Sequence, residues 1–114
     1  MSIQSNSENP RQNEDLGIKQ FCQDHMISWI PSKDGVSCVK IVPRSLDGSA
    51  SFFSMKITSN GKWAISVWKD EINGPSKSRK LHLYIESNCG LDPLNAMEIA
   101  CHVFDSIGKD KDHE

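Results

Sequence analysis

The sequence predicts an α+β fold, with an antiparallel sheet of three to five strands packed on one C-terminal helix and a short N-terminal helix. Three observations carry this expectation. Phe53, Met55 and Ile57 alternate with Ser54, Lys56 and Thr58, and Trp63, Ile65 and Val67 alternate with Ala64, Ser66 and Trp68, the period of two that marks half-buried strands. Leu81, Leu83 and Ile85 alternate with Lys80, His82 and Tyr84 in the same way. From Leu94 onward, Met97, Ala100, Cys101, Phe104 and Ile107 recur at helical spacing, with Ile99 and Val103 widening the stripe.

Taken in order, Met1 to Asn13 is polar enough to read as a flexible tail. Asn13 caps a short helix running to about Asp24, with Ile18, Phe21 and Cys22 on one face and Gly17 weakening it. Met26 to Ile30 and Val36 to Val42 flank the turn cluster Pro31-Ser32-Lys33-Asp34-Gly35, which suits a hairpin, and Pro43 stops the second strand. Leu46-Asp47-Gly48 then loops into the central hairpin.

The register of that hairpin follows from burial. A loop of Asn60-Gly61 alone would set Ile57 opposite Ala64 and split the apolar residues between two faces, because a slip of one residue flips every side chain. A three-residue loop, Ser59 to Gly61, with Gly61 left-handed, pairs Ile57 with Trp63, Met55 with Ile65 and Phe53 with Val67. Asp70 to Ser78 reads as a loop around Asn73-Gly74-Pro75, and Lys80 to Glu86 as the next strand. Asp92-Pro93 gives the last helix an N-cap and a first-turn proline, Gly108 offers a stop, and Lys109 to Glu114 reads as a charged tail.

The 114 residues thus form one domain, 14–108, between two tails. No apolar run approaches the roughly 18 residues of a membrane span, and Met1 to Asn13 lacks a signal peptide's basic start and apolar middle. A cytoplasmic location is expected, or a nuclear one in a eukaryote, with no membrane partner. Cys22, Cys38, Cys89 and Cys101 are scattered singly and read as reduced thiols. The net charge of -2 hides an asymmetry. Residues 36–84 carry eight basic against three acidic side chains, whereas residues 85–114 carry two against seven. A basic sheet and an acidic helix favour an anionic partner on the sheet side.

If the C-terminal helix covers the face built from Phe53, Met55, Ile57, Trp63, Ile65, Val67, Leu81, Leu83 and Ile85, the other face presents Lys56, Ser66, Trp68, Lys80, His82 and Tyr84. Cations among aromatics suit phosphate contacts and packing on bases or sugars. Alternatively, Met26 to Val42 covers this face and buries Trp68; the sequence leaves that placement open.

Other chemistries find less support. Cys22 and His25 are three apart, but Cys101 and His102 are adjacent and point about 100° apart on a helix, so no metal is assigned. Cys89 with His82, or Cys101 with His102, lacks an orienting acid and an oxyanion hole, and there is no glycine-rich phosphate loop. The chain is therefore read as a non-enzyme with no cofactor.

Gly61-Lys62-Trp63-Ala64-Ile65-Ser66-Val67-Trp68-Lys69-Asp70, then Arg79 to Tyr84, then Ala100-Cys101-His102-Val103-Phe104-Asp105, resembles the plant ethylene-response-factor DNA-binding domain of the apetala-two family over residues 51–108. The resemblance implies a three-stranded sheet laid in the DNA major groove with a helix behind it. It places Ala64, Ser66 and Trp68, Lys80 and His82, and Lys56 toward the groove, with Arg79 near the face. Where that family reads bases with several arginines, this chain has Ser54, Lys56, Ser66 and Trp68.

The function expected first is a small nucleic-acid-binding module whose face of Lys56, Ser66, Trp68, Arg79, Lys80, His82 and Tyr84 contacts duplex DNA. In it, lysines hold phosphates and Trp68 packs on a sugar or a thymine methyl. The alternative is a protein-binding adaptor or inhibitor of the kind carried by phages and mobile elements, anchored by Trp68 and Tyr84 on the same face.

Overall fold

The computed structural model of the chain describes residues 10–46 and 48–112, with side chains for 17–46 and 48–107; most of the expected N-terminal tail therefore lies outside the described residues, as does Asp47. The elements are α1 (Pro10–Asp24), β1 (Ser28–Ser32), β2 (Gly35–Pro43), β3 (Ala50–Thr58), β4 (Trp63–Asn73), β5 (Ser76–Glu86), a single 3-10 turn (Ser87–Cys89) and α2 (Pro93–Asp112). The strands form one antiparallel meander in chain order, β1-β2-β3-β4-β5. It is an α+β fold in which both helices share one face of the sheet.

The central hairpin has the register that burial demands. Ile57 pairs with Trp63, Met55 with Ile65 and Phe53 with Val67. The loop closes with the Thr58 amide donating to the Lys62 carbonyl at 2.8 Å and the Gly61 amide to the Thr58 carbonyl at 2.9 Å, and Gly61 is left-handed at φ 89°. Because one face of the sheet then carries Phe53, Met55, Ile57, Trp63, Ile65 and Val67 side by side along β3 and β4, a cover is required. α2 crosses β3 and β4 and supplies Ala96, Met97, Ala100, Phe104 and Ile107, all buried, with Phe104 edge-on to Phe53 at 6.5 Å between ring centres. Ile18 and Cys22 of α1 complete this core against Cys38 of β2. Arg44 ties the sheet to α2, its Nε donating to Ser51 Oγ at 3.0 Å and its Nη2 to the Phe104 carbonyl at 3.2 Å.

β1 and β2 settle the question left open by the sequence. They extend the sheet beside β3, where Val36 pairs with Ile57, Cys38 with Met55 and Lys40 with Phe53, and do not lie across its second face. Gly35 makes this junction possible. Its φ is 146°, and a Cβ there would sit 1.9 Å from the Ile57 carbonyl oxygen, so no other residue fits. Two strands thus stand beyond the three that the family resemblance implies.

Several boundaries differ from the sequence reading. α1 starts at Pro10 rather than Asn13, since proline suits the first helical turn. The Asp92 side chain accepts the Asn95 amide at 3.4 Å as the expected N-cap, but α2 passes through Gly108 to Asp112. A glycine inside a helix costs only about 1 kcal/mol, which does not force an end. Asp70 to Ser78 is not a loop: β4 runs to Asn73 and β5 starts at Ser76, because cross-strand ion pairs described below extend the ladder to a tight turn at Gly74-Pro75.

The largest difference lies in β5. Val67 pairs with Leu83 but Trp68 pairs with Leu81, which leaves His82 unpaired in a β-bulge. The even alternation of Lys80 to Glu86 in sequence is therefore broken in space. Leu83 and Ile85 pack against the core, whereas Leu81 shares the face of Trp68.

Candidate interaction face

The face away from the helices is built in rows, because paired residues of neighbouring strands point the same way. One row runs Ile30, Ser37, Lys56, Ala64, Glu86, and the next Ser28, Val39, Ser54, Ser66, Tyr84. The third is wholly apolar: Ile41, Phe52, Trp68, Leu81. Beyond it Asp70 of β4 faces Arg79 of β5. Phe52 and Trp68 are half-buried, while their outer neighbours Ile41 and Leu81 are 56% and 43% exposed. Beside Phe52 and Trp68, toward the row of Val39, Ser54 and Ser66, lies a groove of about 440 Å³ that Arg79 also lines.

Arg79 closes one end of the groove. Its guanidinium lies 3.9 Å from the centre of the Phe52 ring, and its Nε donates to Asp70 Oδ1 at 3.1 Å. Lys77 adds an ion pair to Asp70 Oδ2 at 3.6 Å. The Asp70 side chain is only 3% exposed. Burial pushes its carboxyl upward, but the Arg79 hydrogen bond, the Lys77 and Arg79 charges and the Ala50 backbone amide outweigh burial and hold it below the ordinary carboxylate value.

Five of the seven residues expected at the site share this face: Lys56, Ser66, Trp68, Arg79 and Tyr84. The Tyr84 hydroxyl donates to Glu86 Oε1 at 3.4 Å. Lys80 and His82 are not on it. The bulge sets Lys80 opposite Lys69 on the other side of the ribbon, 4.0 Å from Glu71, and puts His82 near the same charges. Burial, then the charges of Lys80 and Lys69, hold the His82 imidazole below its ordinary value against the pull of Glu71.

Phe52, Ile41, Leu81 and Asp70 are the members that the sequence reading missed. Phe52 had a signal, since an inward Phe53 forces its neighbour outward, and Ile41 follows by the same parity from Cys38. Leu81 had none, because the bulge leaves no mark in an evenly alternating strand.

Cys22 is buried and hydrogen-bonds Cys38, whose thiol is pushed up by that bond and by burial. His25 stacks on Phe21 at 4.0 Å and meets the Phe21 carbonyl through Nδ1. Burial, with Asp105 nearby, raises the Cys101 thiol to about 11. Among the described residues, no three His, Cys, Asp or Glu side chains converge on a site for a metal ion.

No family model, curated protein or solved structure matches this chain.

Proposed function

We propose that the chain is a non-enzymatic protein-binding module that receives its partner on the open sheet face. The observation that carries this reading is the apolar row of Ile41, Phe52, Trp68 and Leu81, continuous across four strands, with a serine-rimmed groove beside it. Exposed aromatic and aliphatic side chains around a recessed pocket, with polar groups at the rim, are how protein interfaces place their anchors. Such a row is a liability on a monomer unless something covers it.

Duplex DNA is the second reading, favoured by Lys56 on the face and by Lys69, Lys80 and His82 on the reverse of the β4–β5 ribbon. These groups lie on two sides of the sheet, and His82 is held toward its neutral form. On the open face Lys77 and Arg79 are engaged by Asp70, which leaves Lys56 as a cation with no ion pair among the described residues. A single lysine contributes little to phosphate binding, which gains affinity from several neutralised charges.

Selection of a displayed random-peptide library on the full chain and on Trp68→Ala tests the reading, alongside fluorescence anisotropy with mixed-sequence duplex DNA at low and near-physiological salt. The wild type should enrich peptides bearing a large apolar anchor, the variant should not, and DNA should not bind. Salt-weakened DNA binding without peptide enrichment would replace this reading with the nucleic-acid one.

A further inference from the structure

We infer that the occupant of the open face is a second copy of this chain, stacked sheet on sheet in a homodimer; the inference rests on the protein-binding reading and names its partner. Four features of the molecule point the same way.

The edges of the sheet are poor sites for a partner. β1 is five residues long and contains Pro31, which lacks an N–H. β5 carries Lys77, Arg79, Lys80 and the bulge at His82, and charged side chains and bulges are what keep an edge from adding a strand. A partner therefore meets the face.

The face is large enough. Five strands about 4.8 Å apart, averaging about nine residues in length at about 3.4 Å per residue, give a sheet face of roughly 700 Å² per copy. Two copies bury roughly 1,400 Å², within the range of stable interfaces, about 1,200–2,000 Å².

Its relief is complementary to itself. Ile41 and Leu81 stand exposed on either side of the half-buried Phe52 and Trp68, and a groove runs beside that row, so each copy offers both exposed apolar side chains and a groove to receive the other's. A two-fold interface needs this property, because one patch must fit its own copy. Stacked sheets about 10 Å apart interdigitate side chains in this way.

Its charge is close to balanced. Lys56, Lys77 and Arg79 stand against Asp70 and Glu86, so two copies meet without a strong like-charge field. A face adapted to a strongly acidic or basic partner would carry a clear excess of the opposite sign.

Sedimentation equilibrium of the full chain over the micromolar to millimolar range tests the inference, using wild type, Ile41→Lys, Leu81→Lys and the control Ile99→Lys on the exposed side of α2. Far-UV circular dichroism confirms that each variant is folded. The wild type and Ile99→Lys should show twice the chain mass, and each face variant should dissociate at least tenfold more readily. A dimer that survives both face substitutions places the contact elsewhere and overturns the inference. A monomer throughout also overturns it; if peptide selection still depends on Trp68, the protein-binding reading stands with an unlike partner, and if selection fails too, both fall. Should either lysine variant unfold, Ile41→Ser and Leu81→Ser decide by the same measurement.

Discussion

Phe52 and Phe53 are neighbours in the chain with the same side chain, and the sheet gives them opposite surroundings. Phe53 is 0% exposed, pressed against Phe104 under α2, while Phe52 lies half-buried on the open face beneath the Arg79 guanidinium. The same contrast separates Val67 from Trp68 on β4. Strand alternation decides which face a residue joins, and the helices decide which face is dry. The covered face therefore carries the core, and the open face is the one proposed to carry recognition.

That division can be broken at its strongest point first. Phe53→Ala should cost about 3–5 kcal/mol, the range for a large aromatic removed from a packed core, whereas Phe52→Ala should cost about 1 kcal/mol. Urea unfolding of the two variants measures the difference, and equal losses would mean that the open face is a second core.

Asp70 comes next, because it is the buried charge of the open face. Replacing it with Asn should cost about 1.5–3 kcal/mol, the scale for hydrogen bonds to charged partners. Its carboxyl is held below the ordinary value in the folded chain, so its contribution is complete above the unfolded value of about 3.9 and is lost as pH falls through the lower folded value. Unfolding midpoints measured down through pH 4 should decline for the wild type and be flatter for Asp70→Asn. A parallel decline would assign the acid limb to other carboxylates.

The smallest effect is the sharpest test of the bulge. In protein dilute enough to hold copies apart, Leu83→Ala should cost about 1–2 kcal/mol, since Leu83 packs on the core, while Leu81→Ala should stay within about 0.5 kcal/mol. Comparable losses in thermal unfolding would restore the even alternation that the sequence suggests.

The covered face could be read almost whole from the sequence. The register from Phe53 to Val67 follows because only one loop length gathers all six apolar residues, and the helix stripe from Met97 to Ile107 matches the face it covers. The open face could be read on β3 and β4, where parity fixes Lys56, Ser66 and Trp68. It could not be read on β5. A bulge costs the sequence nothing visible, yet it moves Lys80 to the far side and brings Leu81 and Arg79 to Trp68, turning an expected basic face into an apolar one. Asp70 was hidden because its surroundings suggested a loop; its pairing with Arg79 and Lys77 depends on strands that only the folded hairpin reveals.

Strand order equal to chain order has a consequence for how the protein is made. Each hairpin finds its neighbour in the stretch just synthesised, so the meander assembles in step with translation, at about 5–20 residues per second. α2 comes last, and until Ile107 has left the ribosome the nascent sheet has no cover over Phe53, Met55, Ile65 and Val67. For those seconds both sides of the sheet expose apolar side chains, Phe53 and Met55 on one and Ile41 and Leu81 on the other.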